Sequence, residues 1–337
     1  MANNKLLNIE KIQNDLYSKM LNVFSSIADE REDYYLRNPD ELPTESDVGR
    51  IIASYGYQNA AISGAVSLVP GPLGMAAAIP EIMLIVRNQV RMIYDIGVAK
   101  GRKETISKEI LVGIYTDSFD VEKIGLLSEK NGNVFIKRTS LNVFHEIIAF
   151  MAGRITQQLT KSMISKWVPV IGAIAMSVWS KYSTQLIGVK AKEIFGKNIE
   201  ILEDHQGIVI EITAEQKAHI DEELLTRLRI VSLCNLMKVD GIIRDVEKKY
   251  IETMIANSGL DKDTQMKLQA EMAAPGLADI DYHPFPEDYI ETTGLLIDLV
   301  ALAKRDGEFH NAEKNYIKEV GRKLGISDEK IEAIMDI

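Results

Sequence analysis

V-D-G-I-I-R-D-V-E-K-K-Y-I, Val239 to Ile251, is written again 66 positions later as R-D-G-E-F-H-N-A-E-K-N-Y-I, Arg305 to Ile317. Asp240 and Asp306, Gly241 and Gly307, Glu247 and Glu313, and Tyr250 and Tyr316 coincide under that one shift. The match continues where Ser258-Gly259-Leu260-Asp261 falls on Leu324-Gly325-Ile326-Ser327. A repeat that preserves a turn, the helix after it and that helix's exit is a duplicated module. Residues 218–337 are therefore expected to form two helical units of about four helices each, related by a near-two-fold axis. Ala273–Asp288, with three prolines, reads as their connector.

Length and composition fit a folded chain of 337 residues with room for two domains, at 46% hydrophobic and 26% charged residues. Charge is unevenly placed. Residues 1–199 hold 23 Lys+Arg against 20 Asp+Glu, net +3, and residues 200–337 hold 16 against 29, net −13, which together give the −10 of the whole. The acidic half is unsuited to nucleic acid, whose binding rests on Lys and Arg neutralising phosphates. A single cysteine, Cys234, excludes an internal disulfide and a Cys-rich metal site. The N-terminus M-A-N-N-K-L-L-N-I-E-K lacks a secretory signal pattern, so a cytoplasmic location is expected.

Upstream, Leu6 to Asp29 has helical apolar spacing, and Pro39 and Pro43 mark an exposed connector. Ile51 to Pro80 then runs 30 residues without Asp, Glu, Lys or Arg. One helix of that length would reach about 45 Å, enough to cross a bilayer. Pro70-Gly71-Pro72 forbids it, because proline removes a donor and clashes with the preceding turn. A broken hairpin follows, its arms meeting near Gly71 and Gly74 and packing on the segment from Trp167 to Trp179. Glu81–Lys103 reads as a helix whose polar positions are cationic: Arg87, Arg91, Lys100, Arg102 and Lys103. K-N-G-N-V-F-I-K suggests a two-stranded turn at Asn131-Gly132. Leu141–Thr160 is helical again, and 14 uncharged residues between Lys166 and Lys181 are too few to span. Residues 200–217, with I-V-I-E-I at 208–212 as a candidate strand, read as a linker. The division is 1–45 (helix and connector), 46–199 (helical domain), 200–217 (linker) and 218–337 (duplicated domain).

Through L-M-K-V-D-G-I-I-R-D-V-E and L-A-K-R-D-G-E-F-H-N-A-E, with N-S-G-L-D and K-L-G-I-S after them, the C-terminal part resembles the tellurite-resistance TerB family. Through S-L-V-P-G-P-L-G-M-A-A-A-I-P-E-I-M-L and V-P-V-I-G-A-I, residues 46–199 resemble more weakly the EcsC and YcjF-type membrane-associated helical proteins. The TerB resemblance implies an all-α, pseudo-two-fold domain, linked to chemical stress and phage inhibition at the inner membrane. It also implies acidic residues that hold a divalent cation. Carried over position by position, those are Asp240, Glu247, Asp306 and Glu313. The fold expected for the whole is thus all-α, a helical N-terminal domain with a broken hydrophobic hairpin followed by a TerB-like bundle.

Two readings of the repeat stand side by side. In one it is helix punctuation: Gly241 and Gly307 take left-handed exits, Asp245 and Asn311 cap the next helices, and Glu247 and Glu313 lie in first turns favoured by the helix dipole. In the other, four carboxylates hold a hard cation such as Ca²⁺, Mg²⁺ or Mn²⁺. The order of residues is not that of an EF-hand. Pro70-Gly71-Pro72 lacks the Lys-Ser/Thr of a P-loop, and His145-Glu146 has Ala149 where a zinc protease needs its second histidine. Asp281, His283, Glu287 and Asp288 read as a solvated loop, and Cys234 as a small core residue. No catalytic constellation stands out, so the expected function is a non-enzymatic stress or defence adaptor. A metal-dependent enzyme using the same four carboxylates is the alternative. Expected partners are a membrane surface or membrane protein through residues 51–103 and 146–197, a protein partner for the acidic half, or a second copy of the chain. Peripheral attachment at the inner membrane follows from the same surfaces.

Overall fold

The computed structural model describes residues 2–66, 71–118, 125–161, 169–202, 222–285, 289–305 and 307–336. Among them are twelve α-helices and one three-stranded sheet, so the architecture is all-α with a small β element. The chain divides into two compact units, one of Met1–Ser63, Met75–Leu159 and Ser180–Thr213, the other of Gly64–Gly74, Thr160–Trp179 and Ala214–Ile337.

In the first unit, α1 (Ala2–Arg37) buries Ile12, Leu16, Met20, Val23 and Ile27, one stripe at three- and four-residue spacing. Pro39 follows its end. Helix α2 (Val48–Val66) and helix α3 (Gly71–Ala99) flank the break expected at Pro70. Their side chains show the antiparallel course: Tyr55 Oη donates to Asp95 at 2.8 Å and Asn88 Nδ2 to Asn59 Oδ1 at 2.8 Å, so positions rising on one helix meet positions falling on the other. Pro80 lies inside α3, which joins the second arm to the segment read as the helix Glu81–Lys103. The helix continues through Glu81, Arg87, Arg91 and Asp95, and no described helix is long and apolar enough to cross a membrane. The side chains at the hairpin tip, Gly71 and Gly74 included, and Trp167 lie outside those the structure describes.

Helix α4 (Lys108–Asp117) is capped by Ser107, whose hydroxyl accepts from Ile110 N. Strands β1 (Leu127–Lys130) and β2 (Asn133–Lys137) form the expected hairpin, with Asn131 and Gly132 both at positive φ, 54° and 80°. After α5 (Leu141–Lys161) and α6 (Pro169–Phe195), strand β3 (Asn198–Leu202) pairs in parallel with β2. The third strand falls ahead of residues 208–212, which lie outside the described residues. Helix α2 approaches α6 closely enough that a Cβ on Gly188 would stand 2.7 Å from Ile52 Cγ1. Beside that contact the charge-free run buries a polar seam: Asn59 Nδ2 donates to Thr184 Oγ1 at 2.9 Å, and Gln89 Nε2 to Ser183 and Thr184 at 3.2 Å. These buried amides are satisfied by neighbouring helices, as burial requires.

The cationic face of α3 meets the chain's own groups. Arg87 and Arg91 both bond Glu30, Lys100 pairs with Glu45 at 2.6 Å, Lys103 with Glu32 at 2.9 Å, and Arg102 donates to the Lys197 carbonyl at 3.0 Å. More buried than these pairs is Arg31 with Asp95. Asp95 is 4% exposed and accepts from Arg31 Nε at 2.8 Å, Tyr35 Oη at 2.9 Å and Tyr55 Oη at 2.8 Å. This carboxylate therefore ties α1, α2 and α3 together.

Among the described residues of the second unit are two sets of three helices, where about four per set are expected. The first set is α7 (Glu222–Lys238), α8 (Asp245–Asn257) and α9 (Lys262–Ala273), and the second is α10 (Tyr289–Ala303), α11 (Asn311–Lys323) and α12 (Asp328–Met335). Helices α8 and α11 begin and end 66 positions apart, and α9 and α12 begin 66 apart. The core repeats too, Tyr250 and Ile251 matching Tyr316 and Ile317, all buried. Gly259 and Gly325 both exit at φ 75°. No strand occurs among the described residues of this unit.

Removing one member of a buried ion pair costs about 3–5 kcal/mol because the other charge is left unpaired, whereas exposed pairs contribute about 1 kcal/mol or less. Asp95→Asn is accordingly expected to cost about 3 kcal/mol or more in denaturant unfolding. Glu30→Gln, on a half-exposed pair, should cost about 1 kcal/mol or less. Equal costs would remove Asp95 as the anchor of the unit.

Candidate functional site

The duplicated turns of the second unit come together at one point. Arg244 and His310, which are equivalent residues under the 66-position shift, touch: Arg244 Nη2 lies 2.9 Å from His310 Nε2. Self-contact of equivalent positions is what a two-fold relation produces on its axis. A guanidinium has only donors, so in this contact Nε2 of His310 is the acceptor. The same nitrogen is 3.2 Å from Glu308 Oε2, so a proton placed on it would exchange the Arg244 bond for Glu308.

These two residues are also the helix N-caps. Arg244 precedes α8 and His310 precedes α11, both in extended conformation. Asp245 and Asn311, expected as caps, are the first helical residues instead. The caps carry no oxygen to offer the orphan amides, and the helices are served from the other side. Glu247 Oε2 accepts from Arg244 N at 3.2 Å and Glu313 Oε2 from His310 N at 2.9 Å. This is the glutamate half of a capping box used twice. Both glutamates are 2% exposed, and Gly241 and Gly307 take the left-handed exits expected, at φ 77° and 86°.

Of the four residues carried over as cation ligands, Asp240 and Glu247 lie near enough for Glu313 to feel their charges, and Asp306 lies outside the described residues. Asp240 closes its own turn, accepting from Ile242 N at 2.9 Å, and accepts from Arg244 Nη1 at 2.9 Å. Burial opposes its charge, but the Ile242 amide and Arg244 outweigh burial and hold its pKa below the ordinary value. Glu313 goes the other way. Burial, joined by the charges of Glu247 and Asp240 and opposed by the His310 amide and ring, pushes it up to about 7.

Arg244 Nη1 is 3.9 Å from Glu247 Oε2 as well as bonded to Asp240, so a guanidinium occupies the space between two of the carboxylates. Arg305 lies over the Tyr250 ring at 5.4 Å, with Nη1 buried and unbonded among the described residues. No group of three or more His, Cys, Asp or Glu among the described residues is arranged to hold a metal ion. Sequence reasoning missed Arg244, His310 and Arg305. The signal for the first two was the position three residues before each repeated glutamate, although neither residue type is a usual cap. Elsewhere, Asp281 closes a turn onto His283 N at 3.0 Å, while Glu287 and Asp288 lie outside the described residues. Burial pushes the Cys234 thiol up to about 12, which makes it a core residue and not a nucleophile.

Residues 227–336 match the family model described as tellurite resistance protein TerB, a span that holds both turns and most of the six-helix unit. The C-terminal unit is therefore TerB-like. No curated protein and no solved structure matches the chain. The resemblance of residues 46–199 to EcsC and YcjF-type proteins finds no support in these comparisons.

Glu313 makes stability pH-dependent. The native carboxyl keeps its proton to about pH 7 while the unfolded one releases it near 4.5, so stability falls as pH rises across that window and levels off above it. Glu313→Gln keeps an acceptor for the His310 amide and removes the charge. It should be more stable than the wild type at pH 8 by about 3 kcal/mol, with the gap closing below about pH 5. A gap independent of pH would show that Glu313 has an ordinary pKa.

Proposed function

We propose that the protein is a non-enzymatic adaptor of a stress or defence response, whose TerB-like unit recognises positive charge at the paired turns. The observation that carries this reading is the proximity of Asp240 and Glu247 to Glu313, whose pKa is raised to about 7 by burial and, after it, by those two charges. A surplus of carboxylate in a low-dielectric site favours any cation that can reach it. Ca²⁺, Mg²⁺ or Mn²⁺ suits the all-oxygen set, with Asp306 as the fourth ligand expected from the repeat. Arg244 already stands between Asp240 and Glu247, so an entering ion competes with it and binds weakly. The same competition serves an adaptor: a basic side chain of a partner protein can take the ion's place.

The helical unit supplies the membrane or membrane-partner contact in this reading, through residues 51–103 and 146–197. Support comes from the charge-free run and from exposed apolar side chains on its helices, Tyr57 on α2, Leu84 on α3 and Val189 on α6. Contact of this kind is peripheral and apolar, since the cations of α3 are engaged within the chain.

Glu313 also favours a second reading, because a carboxyl near neutral pKa is the property a general base needs. Its burial and its bond to the His310 amide close it to substrate, and the adaptor reading takes precedence. Calorimetry and thermal melts of the full chain with millimolar Ca²⁺, Mg²⁺ and Mn²⁺ test the proposal. A bound ion at 100 times its dissociation constant stabilises by about 2.7 kcal/mol. Arg244→Gln, which frees two carboxylates, should bind more tightly than the wild type, and Asp240→Asn should abolish the effect. Melts unmoved by any of the ions in the wild type and in Arg244→Gln would reject cation binding.

A further inference from the structure

Between α1, α2 and α3 of the first unit lies a cleft of 340 Å³ lined by Arg31, Arg50 and Arg91, with Ser54, Gln58 and Asn88 beside them and no acidic side chain in its wall. We infer that this cleft binds a phosphorylated anion, held by the three guanidinium groups. The inference does not rest on the paired turns of the other unit.

Each arginine has a donor to give. Arg31 is fixed in place: Nε donates to Asp95, Nη2 to Tyr35 Oη at 2.9 Å, and the group lies over the rings of Tyr34 and Tyr35 at 4.5 and 4.7 Å. Those bonds use Nε and Nη2 and leave Nη1. Arg91 spends Nη2 on Glu30, while its Nε is buried with no hydrogen-bond partner among the described residues. The donor Arg91 has left for a ligand is Nη1, which makes no hydrogen bond among the described residues. Arg50, its side chain 80% exposed and tethered to Asp47 at 2.6 Å, stands at the lip as a long arm. Ser54 accepts from Gln58 Nε2 at 3.1 Å and keeps its own proton to donate.

Asp95 is the group that would repel an anion. It is 4% exposed, and Arg31, Tyr35 and Tyr55 occupy its oxygens. Counting Arg31, Arg50, Arg87 and Arg91 against Glu30, Asp47 and Asp95 leaves one net positive charge around the cleft. Guanidinium groups from three separate helices suit a tetrahedral anion with oxygens in several directions, whereas a planar carboxylate is served by one arginine fork. The volume is at the small end for ligand sites. It takes a compact phosphate ester, or a phosphate headgroup whose chains stay outside.

Calorimetric titration of the full chain with inorganic pyrophosphate, and flotation with phosphatidylcholine vesicles with and without phosphatidic acid, test the site and separate its two sources. Binding to pyrophosphate alone identifies a soluble phosphate ester, and flotation with phosphatidic acid alone identifies a headgroup; either supports the site. In both arms Arg50→Gln/Arg91→Lys should weaken binding at least tenfold, since lysine keeps the Glu30 pair but loses the fork. If that double variant does not fold, Arg50→Gln alone, at an exposed position, should weaken binding at least threefold. Blank results in both arms, or binding that the folded variants leave unchanged, overturn the inference.

Discussion

Where Arg244 meets His310, a duplicated sequence becomes a single site. Each of these residues starts a helix without being able to cap it, and each takes its compensation from the glutamate three positions on. Because the two starts are equivalent, bringing them into contact also brings both glutamates, and Asp240, into one another's field. The like-charge strain of Glu313 and the placement of Arg244 between Asp240 and Glu247 follow from that one contact. A charged site arises here from symmetry, without a dedicated ligand loop.

The first unit handles buried charge differently. Asp95 is buried like the glutamates of the paired turns but receives a guanidinium and two phenol donors, so its charge is spent on joining α1, α2 and α3. The cations along α3 are absorbed by Glu30, Glu32 and Glu45 of α1 and the connector. What is left over differs in sign between the units: carboxylate at the paired turns, guanidinium donors in the cleft beside Arg31. The recognition proposed at either place would depend on this residue of unspent charge.

Much of the helical frame was legible in the residues. The shift of 66 positions placed the starts of α8 and α11 and of α9 and α12, because apolar spacing, left-handed glycines and first-turn glutamates repeat together. The two arms expected on either side of Pro70 are α2 and α3, with Pro70 itself outside the described residues, and Asn131-Gly132 placed the β-turn. Pro80 lies within α3, where its missing donor is one lost bond in a helix that packing sustains to Ala99. The caps were placed one residue late because Asp245 and Asn311 have the side-chain chemistry of caps, whereas Arg244 and His310 hold the position only through tertiary contact. The pairing of Arg87, Arg91, Lys100 and Lys103 was out of reach, because their partners lie dozens of residues upstream and nothing local announces them. The parallel partner of β2, across two helices, was hidden for the same reason.

The meeting of the two turns is tested most directly by a double-mutant cycle of Arg244→Ala and His310→Ala in the full chain. Stability is best read from hydrogen exchange at the buried amides of Ile251 and Ile317, one in each repeat. Residues in direct contact show coupling of about 0.5–3 kcal/mol, and independent sites add within about 0.5 kcal/mol. Coupling of at least about 0.5 kcal/mol between Arg244 and His310, felt at both amides, is the expected result. Additive single effects, each confined to its own repeat, would mean that the turns do not form one site.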